Sequence, residues 1–583
     1  MNSNSTKSNQ PMKGINIHIK FALIVLFIQI TVMPVAISQQ EPTTDKNHNE
    51  QVTIIGSFDP SINEAYKVNQ KPEAHSFSFT NPEFEFQHID RQSGTQITLE
   101  PITPANINVD KREKISQNLL LLGFGSQFSP YLNFFHSSGK RNQHRFTAEI
   151  YHLSAFKNIP EYVNPYSNTK AALKFNKFIN DHILDLEFTY KLNTNRYYGY
   201  LPADYPEMTI NENGLKQMYN LFDGNIGIRS NYKSNNKLVH TINISGYYFF
   251  DMYKSSEANA ELAFDFYKSF DVTKVLNYQY LGIDGQVVYY NNTDTLKTTN
   301  EYLVNATPYF KARYGIINFK VGLSFNYLSA GSKLKFYPEI DASVELYPEY
   351  LTLYAGIGGG LEKISLRDLS AENPWILTAI DSKWKDNMFI GFAGLRGNLG
   401  QKVGYNLEAK WTRFKNEYFY TNVITQYTPS LTPNGPINKF NIVYDDGNVI
   451  NLKGEVTYTL DSKFKTWLAA NYSIYSLNSL SQPYQKPITE FKLGASYLFA
   501  KKVDVWTEVY YVGKRYALDP RGMVPTEITL DSFFDVNMGV DYQLKENFSV
   551  FLKLTNLLNW NYEYYYQYPV QGINVMAGIS YKF

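Results

Sequence analysis

From about Gln117 to Phe583 the chain is written in segments of roughly ten to sixteen residues in which apolar and polar positions alternate strictly, with polar breaks between them. Leu184, Leu186, Phe188 and Tyr190 alternate with Asp185, Glu187, Thr189 and Lys191. Val403, Tyr405, Leu407, Ala409 and Trp411 alternate with Gly404, Asn406, Glu408, Lys410 and Thr412. Leu452, Gly454, Val456, Tyr458 and Leu460 do so with Lys453, Glu455, Thr457 and Thr459, and Val503, Val505, Thr507 and Val509 with Lys502, Asp504, Trp506 and Glu508. The last strand sets Ile573, Val575, Ala577, Ile579, Tyr581 and Phe583 on one face. A period of two places successive side chains on opposite faces of a strand, so each segment has one apolar and one frequently charged face.

A soluble sandwich gives the same alternation. The number of segments separates the two architectures: about 22 follow one another without a helical block, too many for an ordinary sandwich and within the range of outer-membrane barrels. The predicted fold is therefore all-β, a transmembrane antiparallel β-barrel of about 22 strands. Connection lengths alternate as well. Short turns fall at Asn180-Asp181, Lys233 to Lys237, Asp461 to Lys463, Lys501-Lys502 and Lys545 to Asn547. Longer connections fall at Ser154 to Ser167, Thr194 to Lys216, Ile364 to Lys385, Gln426 to Asn438, Gly513 to Leu530 and Asn559 to Gln571. Short periplasmic turns and long outer loops have this rhythm, and an even strand count puts both ends of the barrel on the periplasmic side. Tyr197, Tyr198, Tyr248, Phe249 and Phe250 at strand ends fit an interfacial girdle, with core aromatics as the alternative.

Ahead of the strands, Lys7, Lys13 and Lys20 precede the apolar run Phe21 to Val35 and the small-residue stretch Ala36-Ile37-Ser38, the order of a secretory signal peptide cleaved after Ser38. The run is short for a membrane anchor, which needs about 20 apolar residues. Residues 39–116 are polar and Pro-punctuated and read as a periplasmic or luminal extension. Within them Ser61-Ile62-Asn63-Glu64 has capping-box spacing, and Phe77, Phe79, Phe84 and Phe86 alternate with polar residues.

Composition narrows the function classes. Of 583 residues 48 are Tyr and 39 Phe against 6 Trp, and the net charge of +1 offers nothing to nucleic acid. The polar mean hydropathy does not count against a barrel, whose two faces average out. Cysteine is absent, which removes disulfides, thiolate metal sites, a Cys nucleophile and a lipid-anchored N-terminal Cys.

The C-terminal quarter then resembles the barrel of TonB-dependent receptors, of the kind abundant in Bacteroidota-type outer membranes. The resemblance rests on Thr555-Asn556-Leu557-Leu558-Asn559, Tyr562-Glu563, Tyr568-Pro569 and the ending Gly578-Ile579-Ser580-Tyr581-Lys582-Phe583, with Leu530 to Leu544 similar to the preceding strand pair. It implies an outer-membrane location in a Gram-negative bacterium, and a last strand in which Tyr581 and Phe583 serve as the assembly signal. The chain departs from the family ahead of the barrel. Residues 39–116 are shorter than the family's plug and carry neither its Arg-Gly nor its Asp-Gly-Val signature. Asp59-Pro60-Ser61-Ile62-Asn63-Glu64-Ala65-Tyr66-Lys67 instead resembles a segment of a plugless subset. A lumen of this size needs a stopper, because 16 to 18 strands already leave an aqueous channel. The candidates are residues 39–116 folded inward, which is the preferred one because the segment is tethered at the correct end, a long loop such as Ile364 to Lys385, or a partner protein.

No motif for chemistry stands up. His136 and Ser137 are adjacent and point to opposite faces of a strand. Gly358-Gly359-Gly360 lacks the Lys and helix of a phosphate loop and fits a crowded strand. Asp445-Asp446-Gly447-Asn448 lacks a full calcium pattern and reads as a turn. The nine His show no ligand spacing. The expectation is a protein that is not an enzyme, with no catalytic, cofactor-binding or metal site. Glu187, Lys191, Glu408, Lys410, Lys453 and Glu455 hydrate the lumen. The candidate ligand or partner loop is the tyrosine-rich stretch Tyr562, Tyr564, Tyr565, Tyr566 and Tyr568, where stacking on sugars or peptides competes with a girdle role. Expected partners are outer-membrane lipid and lipopolysaccharide and outer-membrane or periplasmic proteins, a lipoprotein among them, and not nucleic acid. Two functions remain open: transport across the outer membrane, and a non-transporting structural subunit of an outer-membrane complex for secretion, barrel assembly or surface-protein display.

Overall fold

The computed structural model describes residues 116–139, 143–200, 215–232, 237–271, 273–295, 297–424, 438–461, 463–519 and 524–583. The expected signal peptide, nearly all of the expected extension and the capping box at Ser61 lie outside the described residues.

The strands run β1 (Asn118–Gly125), β2 (Ser129–Ser137), β3 (His144–Ala155), β4 (Tyr166–Ile179), β5 (His182–Arg196), β6 (Lys216–Ser230), β7 (Val239–Asp251) and β8 (Ser256–Ser269). Then come β9 (Asn277–Thr293), β10 (Thr298–Tyr314), β11 (Ile317–Leu328), β12 (Lys333–Tyr347), β13 (Leu351–Lys363), the helix α1 (Leu366–Glu372), β14 (Trp384–Leu399), β15 (Val403–Ile424) and β16 (Asn438–Thr459). The chain finishes with β17 (Phe464–Leu477), β18 (Thr489–Phe499), β19 (Val503–Val512), β20 (Arg515–Asp519), β21 (Thr526–Leu530), β22 (Phe533–Lys545), β23 (Phe548–Thr555), β24 (Glu563–Tyr565), β25 (Tyr568–Pro569) and β26 (Asn574–Lys582). The strands β20 and β21 form one small hairpin and β24 and β25 another, and the remaining 22 make one sheet. Neighbours in sequence pair antiparallel, and the ring closes where β1 meets β26 from Leu119↔Lys582 to Gly125↔Met576. The main-chain N–H of Asn118 donates to the Phe583 carbonyl at 2.9 Å. A closed ring has no edge, so every ladder group finds a partner without water.

The two faces follow the sequence alternation. Phe188, Leu407, Trp411, Leu452, Val456 and Ile579 lie exposed on the outer wall, and Ile244 shows 56% of its surface there. So extensive an apolar exterior requires a non-aqueous solvent around it. The inner wall carries ion pairs between adjacent strands, Lys170–Glu149 at 2.8 Å and Arg229–Asp185 at 3.1 Å among them. The short connections anticipated at Asn180, Asp461, Lys501 and Lys545 fall at the end that holds Asn118 and Phe583, where β6 also passes to β7, and the strand ends that flank the six long connections lie at the other.

Two local readings change. Asp445 to Asn448 is not a turn but lies inside β16, where the Asp445 carboxylate accepts the main-chain N–H groups of Ser479 at 2.9 Å and Leu480 at 2.8 Å. Tyr197, Tyr198 and Phe249 are buried inside the barrel mouth, whereas Tyr248 is exposed on the outer wall, so the girdle reading fails for the first three. The glycine run sits at a bulge between Gly358 and Gly360. A β-carbon on Gly359 would stand 2.4 Å from the Tyr337 ring and 2.8 Å from the Asn387 carbonyl oxygen, while one on Gly360 meets nothing within 4 Å. Gly359→Ala is therefore expected to cost about 1–3 kcal/mol through overpacking, and Gly360→Ala much less. Urea titration of the barrel folded in lipid vesicles checks this, and equal midpoints for the two variants would refute the crowding argument.

Candidate functional site at the barrel mouth

At the long-loop end a buried aromatic and aliphatic cluster joins elements that are far apart around the ring. Its centre is the connection of residues 364–383 between β13 and β14. Ser365 caps α1 with extended backbone, its Oγ accepting the Asp368 N–H at 3.1 Å, and Asn373 ends the helix by donating to the Leu369 carbonyl at 2.7 Å. The spacing Ser365-Leu366-Arg367-Asp368 matches a helix N-terminus, so the helix that the alternation concealed had a sequence signal. Leu366 and Leu369 are buried on its inner face.

From β13 and β14 the connection reaches wall strands that are not their neighbours. The Glu257 carboxylate of β8 accepts the Leu366 N–H at 2.8 Å, Asn195 Nδ2 of β5 donates to the Pro374 carbonyl at 2.9 Å, and the Tyr219 hydroxyl of β6 donates to the same carbonyl at 3.0 Å. The Tyr197 hydroxyl donates to the Ile376 carbonyl at 3.2 Å, and the Trp375 indole N–H to the Arg196 carbonyl at 2.9 Å. On the other flank Ile376 forms a parallel bridge with Phe440 of β16, and the Tyr418 hydroxyl of β15 bonds the Glu372 carboxylate. Only a path across the mouth reaches β5 to β8 on one side and β15 and β16 on the other.

The tyrosine-rich loop meets this connection. Tyr568 stacks on Trp375 with centroids 4.1 Å apart and touches Tyr198 edge-on at 4.9 Å. Tyr565 packs against Trp375 and Phe440 and donates from its hydroxyl to the Glu372 carbonyl at 3.0 Å. Tyr562 stacks on Phe533 at 3.8 Å, and Tyr566 donates to Asp519 at 3.0 Å. Tyr564, Tyr565 and Tyr568 are buried, with Tyr562 and Tyr566 half-buried. These five rings thus belong to the packed mouth. Tyr581 and Phe583 lie far from it, exposed and stacked on each other at 5.3 Å beside the closing seam.

A second anchor is ionic. The Glu417 carboxylate, 5% exposed, takes Lys385 at 2.7 Å and Lys486 at 2.6 Å, binding the 478–488 connection to β14 and β15. Removing either cation would leave buried charge without full compensation. Burial pushes the Glu372 carboxyl above the ordinary carboxylate range against the opposing pull of Lys486, and burial raises Glu563 too. Asp381 moves the other way because it hydrogen-bonds Lys297. Trp375, Glu372, Glu417 and Arg515 were not singled out from the sequence. Trp375 had one signal, a rare Trp in a polar connection. Among the described residues no group of three or more His, Asp or Glu is placed to hold a metal ion, and His136 Nδ1 lies 2.7 Å from Asn118 Oδ1.

No protein-family model and no curated protein sequence matches the chain. Solved structures do. The barrel is similar to the siderophore receptor PirA from Acinetobacter baumannii, with a TM-score of 0.60 and 11% identity over 81% of each chain. It is similar to a mutant of the ferric enterobactin receptor PfeA from Pseudomonas aeruginosa, with a TM-score of 0.57 and 10% identity over 80% of each. The FrpB iron transporter from Neisseria meningitidis matches with a TM-score of 0.57 and 11% identity over 81% of this chain and 83% of that one. At such identities the likeness is one of fold: the chain has the large β-barrel found in these siderophore and iron receptors.

Proposed function

We propose that the protein is an outer-membrane transport barrel of the TonB-dependent receptor type without a full plug, held closed at its outer mouth by its own connections. The observation that carries this reading is the combination of a closed 22-strand ring, an apolar exterior and an ordered set of loops crossing the mouth. A wall of that circumference encloses an aqueous lumen. A stopper that is hydrogen-bonded through tyrosine hydroxyls is suited to being moved. In this reading residues 1–38 are the signal peptide, residues 39–116 the periplasmic or luminal extension, and residues 117–583 the barrel. The long-loop end faces the outside. The neighbours are a siderophore receptor, a ferric enterobactin receptor and an iron transporter, and an iron chelate is one cargo to test.

The absence of plug signatures from residues 39–116 favours a second reading, a structural subunit of an outer-membrane complex, because coupling through TonB needs a plug to pull. Gentle purification from the native membrane separates the two. A solitary barrel whose deletion abolishes uptake of a nutrient supports transport. A stoichiometric set of partners, a lipoprotein among them, with no nutrient phenotype supports the subunit and sinks transport.

Phe583 ends the chain at the seam, its carbonyl bonded to β1, and we assign Tyr581 and Phe583 to recognition by the assembly machinery. Phe583→Ala is expected to lower the amount of heat-modifiable, folded barrel in the outer membrane severalfold while leaving refolding in detergent unchanged. Equal loss in both would mark a purely structural role.

Opening the mouth by moving the 364–383 connection would return Glu372 to water and to the ordinary range. A carboxyl whose pKa is raised in the closed state holds its proton more tightly there, so closure is favoured in acid and weakens as pH rises through the raised range. Asp381, lowered in the closed state, opposes this only below the ordinary carboxylate range near ~4. Single-channel conductance in planar bilayers is expected to increase as pH is raised from roughly 4 to 8, with Glu372→Gln flattening the profile. A flat profile for the unmodified protein would remove Glu372 from the closure.

A further inference from the structure

The connections that meet at the mouth are not held in the same way. Arg515 of β20 is fully buried, and its guanidinium donates to the main-chain carbonyls of Tyr564, of Glu563 at 2.9 Å and of Asp531 at 3.4 Å. It also lies against the rings of Phe533 and Tyr564. The 559–573 connection is also fixed to β22, by the Phe533–Tyr562 stack and by the Tyr562 hydroxyl donating to Asp535 at 2.6 Å, while Arg515 joins it to the 513–532 connection. Parting them would strand a buried guanidinium from the carbonyls that satisfy it, the costliest kind of loss in a dry site.

The 364–383 connection is met by charged wall groups near its two ends, where the buried Glu257 carboxylate accepts the Leu366 N–H at 2.8 Å and the largely exposed Lys297 pairs with Asp381. Its ties to the wall are mainly single hydrogen bonds from tyrosine hydroxyls to its own carbonyls: Tyr219 to Pro374, Tyr197 to Ile376, Tyr565 to Glu372 at 3.0 Å, and Tyr444 to Asp381 at 2.8 Å. Each partner can exchange the bond for water at small net cost. Arg367 is paired with Asp368 on the same segment at 2.9 Å, so that charge pair travels with it, and towards the wall its guanidinium rests on the Tyr247 ring at 4.1 Å. Among the described residues one bridge ties it to the strand ladder, with Leu377 N donating to Phe440 O at 2.7 Å and Phe440 N to Trp375 O at 3.0 Å. Its two ends are joined at the neck, where the Ile364 N–H donates to the Lys383 carbonyl at 3.0 Å and Ser382 Oγ to the Ile364 carbonyl. A loop closed at its neck can turn as a body without unzipping β13 from β14.

We infer that residues 364–383 are the moving strap of the mouth, with Trp375 seated among Tyr198, Tyr565 and Tyr568 as its latch, and that the Arg515-clamped connections are the fixed half against which it closes. The inference rests on the transport reading only for which side the mouth faces.

The chain contains no cysteine, so introduced thiols report without background. Tyr219→Cys places one beneath Pro374, at a position 3% exposed while the strap is seated. Its labelling by a membrane-impermeant maleimide on intact cells is expected to be slow, to speed up at least tenfold when Trp375→Ala is added, and to stay slow when Lys415→Ala, away from the latch, is added instead. Equal labelling with and without Trp375→Ala overturns the latch. In planar bilayers, Trp375→Ala is expected to raise the open fraction. Ile376→Cys with Phe440→Cys, bridge partners within reach of a disulfide, is expected to shut that variant when oxidised and release it when reduced. Conductance that ignores the redox state of the folded double variant overturns the strap. A strap that passes these tests in a protein whose deletion affects no uptake would stand while transport fell. Intact uptake with an immobile strap would do the reverse.

Discussion

A chain crossing hydrocarbon has no water to satisfy its main-chain polar groups, and the rest of this structure depends on how the 22-strand ladder meets that demand. Closing β1 on β26 removes the last edge. It also fixes the face of every side chain, because a strand held in register on both sides cannot slip by one residue without turning its apolar set inward. The exposed Leu407 and Trp411 and the inward Glu408 and Lys410 of β15 are two consequences of the same pairing. So is the placement of Asn118 and Phe583, the two ends of the barrel, at the short-turn end, which an even number of antiparallel strands compels.

Closure of the ring creates the second problem, an opening at the mouth. The long strands help to solve it. β15 and β16 are 22 residues each, against 8 in β1, so the wall is tallest where Tyr418, Tyr420, Phe440 and Ile442 reach the strap. The tall side supplies rings, the seam side supplies the tyrosine-rich loop, and the strap runs between them. Buried rings contribute apolar area, and their hydroxyls satisfy the carbonyls that an irregular connection leaves open. That double use accounts for the choice of Tyr over Phe at positions 197, 219, 444 and 565.

How much of this was legible in the chain depends on the range of the interactions. The strands were, because a period of two is local and repeats in every segment. The turn rhythm was, because polar breaks interrupt that period. The mouth was not. Tyr197 bonds Ile376 from 179 positions away and Tyr565 bonds Glu372 across 193, and no local pattern encodes such meetings. Tyr562 to Tyr568 therefore read as an available surface, and three of its rings are buried. Asp445 read as a turn residue because Asp-Asp-Gly is turn-like in composition, while its carboxylate caps the Ser479 and Leu480 N–H groups of a neighbouring connection. Of the three stoppers weighed, Ile364 to Lys385 crosses the mouth in the structure, and residues 39–115 lie outside the described residues. α1 carried its own capping signal at Ser365 and Asp368, hidden by the regular alternation on either side.

The chemistry of the closure bears on whether it is a permanent lid. An ionic seal like that of Lys385, Glu417 and Lys486 is hard to part, since each separated charge must regain its full hydration before the others can compensate. Those charges sit on β14, β15 and the 478–488 connection, off the strap. Apart from the Glu257 carboxylate on the Leu366 N–H and the exposed Lys297–Asp381 pair, the strap is met by neutral hydroxyls, each with a net contribution of about 0.5–1.5 kcal/mol, and by ring contacts that add about as much again per pair. Several such contacts together hold a segment in place, yet no hydroxyl or ring contact has the all-or-none cost of a buried unpaired charge, and Glu257 keeps the Tyr247 hydroxyl as a partner when Leu366 leaves it. A mouth built to stay shut would place buried ion pairs across the gap, and this one places its buried Glu417 pairs beside it and gives the strap the exposed Lys297–Asp381 pair.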